Sequence, residues 1–538
     1  MSERAQALQR WGPFVIVIAA YAVVALQQIT LPGVYMDAVN PDYMATRLLN
    51  PRGEVIVPWL VPGNWLYGRA PILISLYHGS QQMWLGLPFF WLFGMSVAGL
   101  RLTHAMFALG VLAALYALLG RGGLKPWQAA LACVALAIDP AFSYAFRTQS
   151  YITLAPAMWL FLSLYALMRG GEGGRRHVWW LFVSGLLYGW AVVAYFIYLF
   201  FLPALLLAVR WSPAPARSPA AFAVLFTGVI VGAAWYPLGY ALMAQALGGY
   251  AQAWDYVLQT QRAINAFSQQ PDFTGRVEHL VANLRSVFHN SYHHALIFAE
   301  VDELPGAHYK TALLLTGSLL LWARAEWKKQ AGMLRLLVAL GVSFVLVALL
   351  FGTRLSGHHF MVLLPIAYGA LALGLVALAK GPPAWRIAPW TVVVPFAALI
   401  GLNVGGQIKE ARRLAETRGV GLYSDAINRL AADLDANTRK PFVYFPDWGL
   451  LMPVAFLTGG RVGMDSLEDY AAARRRLCAG RDVAVAIITG DRTARIAAWQ
   501  ASLAWDAPAI APYQQADGTT VFVVATFRGN RQGTGCAG

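Results

Sequence analysis

Charge is scarce in this chain. Only 12% of its 538 residues are Asp, Glu, Lys or Arg, where soluble domains carry about 25%. That shortage excludes a cytosolic enzyme, a nucleic-acid binder with a solvated basic face and a disordered scaffold, each of which needs a hydrated, charged surface. Cysteine is scarcer still. Cys133, Cys478 and Cys536 are too few for a disulfide framework and wrongly spaced for a zinc site; a pairing of Cys478 with Cys536 stays open. There is no internal repeat, and the one low-complexity stretch is 170–174.

Apolar residues are what the chain has in excess: 58% of it is hydrophobic, with a mean hydropathy of +0.52. Its main solvent is therefore lipid. The net charge of +15 and the isoelectric point near 9.8 fit Lys and Arg gathered on cytoplasmic loops, which fix membrane orientation. Eleven runs have the composition of spans: 13–31, 102–119, 128–142, 152–168, two within 178–209 breaking near Ala194 and Tyr195, 220–243, 311–323, 334–352, 360–379 and 387–404. The first is too long for the core of a signal peptide and reads as an uncleaved span.

The run 83–98 is ambiguous, and charge settles it. If it does not cross, the inner loops hold fifteen cations: Arg4, Arg10, Arg121, Lys125, Arg169, Arg175, Arg176, Arg210, Arg217, Arg324, Lys328, Lys329, Arg335, Lys380 and Arg386. The much longer outer loops then hold ten. If it crosses, thirteen of the fifteen change sides, against the positive-inside rule. The run is therefore expected to lie along or dip into the outer face. An odd span count places the N-terminus in the cytoplasm and the C-terminus outside, in the periplasm of a bacterial inner membrane.

The expected architecture is thus an α-helical polytopic membrane domain, residues 1–404, with long outer loops 32–101 and 244–310. A small periplasmic α/β domain, 405–538, follows. In this tail Ser424 is placed to cap a helix that aligns Ile427, Leu430 and Leu434. Residues 442–445 and 483–489 read as buried strands. Ser466 to Asp469 resemble a helix-opening capping pattern, and Asp517-Gly518 a tight hairpin turn. Asp447-Trp448-Gly449 reads either as a carbohydrate-stacking site or as a turn with a buried indole.

Acids avoid the middle of every span. Glu3, Glu172 and Glu326 fall on inner loops; Asp37, Asp42, Glu54, Asp139, Asp255, Asp272, Glu278, Glu300, Asp302 and Glu303 fall on the outer side. Ion-coupled transporters keep carboxylates at mid-membrane, so this one-sided pattern points to an enzyme at the outer boundary. Asp37 stands where the chain leaves the first span, among apolar neighbours, and partial burial there would make it a stronger base. Asp42 follows Asn40-Pro41, which reads as a helix cap and first helical residue, so its charge is explained equally by the helix dipole or by catalysis. His104, beside Arg101, reads as a satisfied interior histidine. In the second outer loop Tyr292-His293-His294 and Glu300-Val301-Asp302-Glu303 suggest a metal. Their spacing matches no defined site, and a solvated acidic loop explains them as well; a divalent ion is allowed for, without an assigned ligand.

The order of several motifs resembles the GT-C membrane glycosyltransferases, particularly the family 39-like branch of protein O-mannosyltransferases and the lipid A aminoarabinose transferase. These motifs are an Asp after the first span, Phe93-Gly94 before Arg101-Leu102, Asp139-Pro140-Ala141-Phe142 leading to Arg147, and His358-His359-Phe360 before a span containing Pro365. The likeness covers roughly residues 10–380. The family's second acid after the first-loop Asp is replaced by Ala38, and an acid after Arg147 by the stretch Gln149-Ser150-Tyr151.

The resemblance implies a sugar on polyprenyl phosphate as donor, an acceptor glycan, lipid or protein, and no nucleic acid. Asp37 and Asp42 are then the candidate catalytic acids. Arg101, Arg147, Arg354, His358 and His359 are the candidate donor-phosphate ligands, since guanidinium grips phosphate with paired donors. Arg101 and Arg147 also sit where arginines commonly snorkel. Gln149, Tyr151, Glu300 and Asp302 complete the set on the substrate side. Two alternatives stay open: a ligase-like transferase using a diphosphate-linked donor, and a flippase of lipid-linked sugars.

Overall fold

The computed structural model describes residues 9–56, 61–66, 70–172, 176–211, 218–266, 272–327, 332–379, 392–530 and 536. Arg4, Arg175, Arg217, Lys328, Lys329, Lys380 and Arg386 of the charge pattern, and the start of the run at 387, lie outside them. Among the described residues six helices are long and apolar enough to cross a membrane, or eight if two bent pairs each count as one span. The expected eleven is therefore matched only in kind: a mostly helical, integral, multi-pass membrane protein.

Eight helices position the site: α1 (Phe14–Leu26), α2 (Gln81–Phe93), α3 (Val97–Arg121), α4 (Pro126–Ala137), α5 (Pro140–Thr148), α6 (Ser291–Phe298), α7 (Leu363–Ala379) and α8 (Val393–Thr417). The run 83–98 forms α2, only 13 residues long, below the roughly 20 that a span needs. The run 128–142 is not straight. It divides into α4 and α5, which meet at 58°, because Asp139 caps α5 through Ala141 N and Pro140 opens it. The run 220–243 likewise breaks into Pro219–Gly232 and Trp235–Leu247, bent by 40°. As expected, 178–209 breaks at Ala194: Tyr195 is extended, with helix His177–Ala194 before it and the turn Phe196–Phe201 after it.

The expected boundary at 404/405 falls inside α8, a continuous helix of 25 residues. Its charged residues begin at Lys409 and continue through Glu410, Arg412, Arg413 and Glu416, so the change from apolar to charged composition falls within one unbroken helix. Beyond it the chain builds a five-stranded sheet in the order Met464–Asp465, Phe442–Tyr444, Val483–Ile487, Thr520–Phe527, Ala509–Gln514. The first three strands are parallel and the last two antiparallel. Helix Ala426–Ala436 buries Ile427, Leu430 and Leu434 on one face, with Asp425 rather than Ser424 at its cap position. Asp469 caps Tyr470–Cys478, and Gly518, at φ +85°, turns the hairpin. Cys478 and Cys536 are disulfide-bonded. The Trp448 indole is 51% exposed rather than buried.

The tail grips the first outer loop. Met452 and Phe456 pack with Val34, Ala38, Val39, Tyr43 and Met44, Gly33 N donates to Tyr423 O at 2.7 Å, and Val55 bridges to Met464 in parallel. The loop carrying both first-loop acids is thus held between the helical bundle and the sheet.

Candidate active site

Asp37 occupies a single 3₁₀ turn, Met36–Ala38, whose Ala38 points into the apolar cluster shared with the tail. Its carboxylate accepts from Gln149 Nε2 at 3.0 Å and from Tyr151 Oη at 3.4 Å. Gln149 lies at the joint between α5 and the short helix Ser150–Thr153, where the backbone leaves the helical region (φ −142°, ψ 56°). Both partners are neutral. No ion pair to Asp37 forms among the described residues. Burial raises its pKa above the ordinary carboxylate value, and the hydrogen bonds from Gln149 and Tyr151 oppose that only in part.

A relay of neutral polar groups runs outward from this acid. Tyr292 Oη donates to Gln149 Oε1 at 3.4 Å and lies 2.5 Å from His358 Nδ1. The rings of His358 and His359 stack with centroids 3.9 Å apart. His359 Nδ1 lies 3.0 Å from Ser356 N and 3.1 Å from Ser356 O, and its Nε2 lies 3.1 Å from Tyr195 Oη. His78 completes the wall, 5.2 Å from the Tyr151 ring and 6.1 Å from the Tyr195 ring, and burial lowers its pKa to about 3, so it stays uncharged. Arg354, half-buried, leads into Gly357–Phe360, and its Nε has no hydrogen-bond partner among the described residues.

Asp42 has a different setting. It is completely buried. Its Oδ2 accepts from Gln82 Nε2 at 2.7 Å and meets His104 Nε2 at 2.7 Å. His104 Nδ1 faces Phe146 O at 3.1 Å; a carbonyl only accepts, so Nδ1 donates and a proton shared between Nε2 and Asp42 completes the pair. Gln82 also reaches Ser150 Oγ at 3.0 Å, so Asp42 ties α2, α3 and the α5 joint together. Asn40 and Pro41 do not open a helix as expected; the 3₁₀ turn starts at Asp42 itself.

Arg101 and Arg147 are also accounted for. Arg101 donates to Ile29 O at 2.8 Å and Pro32 O at 2.5 Å; Arg147 donates to Gln27 O at 2.5 Å and Leu31 O at 2.8 Å. Arg147 also reaches Val24 O and Ala25 O of the last turn of α1, whose carbonyls lack intrahelical partners and carry the negative pole of the helix, while Arg101 holds the segment just beyond it. These donors are engaged by main chain, while the buried Arg147 Nε has no hydrogen-bond partner among the described residues. Glu300 pairs with Arg413 at 2.5 Å, and Asp302 pairs with Lys409. Both acids stand over a groove of about 520 Å³ beside α8, and no hydrogen bond or ion pair among the described residues links them to the Asp37 relay.

Of the expected residues, then, Asp37, Gln149, Tyr151, His358 and His359 converge, with Arg354 at their edge. Tyr292, Tyr195 and His78 were not foreseen as members. The triplet 292–294 held a signal: each side chain goes to a different element. Tyr292 enters the relay, His293 Nδ1 meets Thr148 Oγ1 at 2.9 Å, and His294 Nδ1 meets Glu410 Oε1 at 2.9 Å. Tyr195 carried none, since an isolated aromatic at a helix break looks like any other core residue.

No protein-family model matches the sequence, and no curated protein does either. Among solved structures, ArnT from Cupriavidus metallidurans in the apo state aligns over 96% of this chain and 98% of its own, at 12% identity with a TM-score of 0.56. The same protein bound to undecaprenyl phosphate aligns over the same shares at 14% identity, with a TM-score of 0.53. The chain has a GT-C fold.

Proposed function

We propose that this chain is a glycosyltransferase of the outer membrane face, moving one sugar from a polyprenyl-phosphate carrier to an acceptor hydroxyl with inversion. One observation carries the reading: a half-buried carboxylate with no paired cation among the described residues, Asp37, beside a histidine–tyrosine relay in a GT-C fold. A structural acid would be neutralised by a partner. Asp37 instead keeps a raised pKa, the property a general base needs.

In the proposed step Asp37 takes the proton of the acceptor hydroxyl as that oxygen bonds to the anomeric carbon. The bond from that carbon to the phosphate oxygen breaks, and its electron pair leaves with the polyprenyl phosphate. Charge growing on the departing phosphate needs fixed positive or donor groups. Arg354 and His358 are the expected residues still available for it; His359 has both ring nitrogens engaged by Ser356 and Tyr195, and Arg101 and Arg147 shape the site by anchoring the exit of α1. Undecaprenyl phosphate bound to ArnT supports a ligand of this class. The acceptor, a glycan, lipid or protein, would approach from the periplasm of a bacterial inner membrane, with the N-terminus cytoplasmic.

The test is release of undecaprenyl phosphate by purified protein in detergent from a panel of undecaprenyl-phosphate sugars. Wild type should turn over one of them. Asp37→Asn should lose about 10²–10⁴-fold in rate while still binding undecaprenyl phosphate. Full activity in Asp37→Asn removes the base assignment; turnover only of diphosphate-linked donors, or of none, removes the donor assignment.

A further inference from the structure

The second outer loop holds a cluster that the proposed transfer does not use. His289, Glu303 and His308 place three ligand-type atoms within 4.8 Å of one another. His289 follows helix Phe273–Phe288 as its C-terminal cap. Glu303 lies in the irregular stretch after α6, and His308 in the short helix Ala307–Thr311. His289 Nδ1 stands 3.1 Å from Glu303 Oε1, and His308 Nε2 stands 3.7 Å from Glu303 Oε2. The two imidazoles meet edge to face, their centroids 4.8 Å apart at 89°.

The burial of these groups differs in a telling way. His289 is only 3% exposed, yet its Nδ1 makes no hydrogen bond in acceptable alignment. A buried ring nitrogen left unaligned beside a carboxylate costs stability unless a further group satisfies it. His308, by contrast, is 74% exposed in its side chain and free to rotate. Around a tetrahedral ion with ligand distances near ~2.1 Å, ligand atoms stand about 3.4 Å apart; here His289 stands 3.1 Å from Oε1 and His308 3.7 Å from Oε2, and one ligand atom from each residue lies within 4.8 Å of the others, so the exposed His308 ring would have to swing inward to close the set. Arg285 also reaches Glu303, at 2.8 Å. It contacts Oε1 and is itself more than half exposed, so Oε2 stays available between the carboxylate and His308.

The geometry points to a divalent-metal site of His₂Glu type, formed by His289, Glu303 and His308 and suited to zinc. Two imidazoles and one carboxylate are borderline ligands that favour zinc over magnesium or calcium, which prefer all-oxygen shells. A water would complete four-coordination. The ion would clamp the end of Phe273–Phe288 to the 303–308 segment. It would do so three residues before Tyr292 of the relay and two before Lys310, which pairs with Asp139 at 2.6 Å. The role is a strap that holds the second outer loop in register with the site, without contact to the reacting sugar.

Zinc chloride added to chelator-stripped full-length protein in detergent tests this by calorimetric titration and metal analysis. Wild type should take up one zinc per chain and gain thermal stability. His308→Ala, at an exposed position compatible with folding, and Glu303→Gln should each weaken binding at least tenfold and abolish the gain in Tm. Asp302→Asn, on the neighbouring acid that pairs with Lys409, should bind as wild type does. No zinc uptake at micromolar concentration, or equal affinity in wild type, His308→Ala and Glu303→Gln, overturns the site. Because the readout is metal binding, it is independent of whether the sugar-transfer reading holds.

Discussion

Two regions of this protein bury carboxylates, and they treat them in opposite ways. At the junction of α4 and α5, Asp139 is fully buried but answered on every side. Lys310 Nζ lies 2.6 Å away, Tyr368 Oη donates at 2.8 Å, and Asn403 Nδ2 in turn donates to Tyr368 at 2.9 Å. At the outer loop, Asp37 is met only by an amide and a phenol. Taking a charge out of water costs several kcal/mol unless a partner compensates. Where the partner exists, as for Asp139 or for Asp42 with His104, the acid fastens helices together. Where none stands among the described residues, as for Asp37, the cost appears as a raised pKa. Burial alone therefore does not mark a functional acid; the proposed base is set apart by the lack of a charged partner among the described residues.

That contrast can be broken most severely at Asp139. Lys310→Met strands its carboxylate, and the expected loss is about 3–5 kcal/mol, seen as a large drop in Tm in detergent or as failure to accumulate folded protein. Asp37→Asn should leave Tm nearly unchanged while turnover collapses, as given above. An equal loss of stability in both variants would erase the distinction drawn here.

Arg147→Gln sharpens the same point for the basic groups. If its guanidinium serves the end of α1, stability should fall by roughly 1–3 kcal/mol before any change in affinity for undecaprenyl phosphate. A variant of wild-type stability that no longer binds that lipid would return Arg147 to the phosphate site. Tyr292→Phe removes the link from Gln149 to His358 and should slow turnover by about tenfold, or ~1.4 kcal/mol, with the fold intact.

The pH profile gives the subtlest test. Asp37 acts as a base only when ionised, and burial raises its pKa. Activity should therefore fall on the acid side at a pH above the ordinary carboxylate value, and rise as pH increases through the shifted pKa. An acid limb at or below the unperturbed carboxylate range would show that Asp37 is solvated during turnover.

Much of the frame was legible in the residues. Low charge and long apolar runs required a membrane domain, and short apolar runs with Asp517-Gly518 marked the sheet and its hairpin, while the break at 139–140 went unread because 128–142 looked like one apolar span. Asp37 stood out because nothing local explained it. The partners of other candidates were not legible, because they come from distant positions in the chain. Arg101 and Arg147 looked like phosphate ligands because their carbonyl acceptors, from residues 27–32, lie about 70 to 120 positions away in the chain. Glu300 and Asp302 looked like substrate contacts because Arg413 and Lys409 approach from α8.

Composition and periodicity, then, determined the medium, the helical character and the side on which polar groups collect, since these follow from each residue's own solvation and from its near neighbours. Which acid is neutralised and which stays reactive was decided only by the tertiary structure, because charge compensation acts over a few ångströms in space. The packing of α3, α5, α6 and α8 around the first outer loop sets those distances; no local pattern records them.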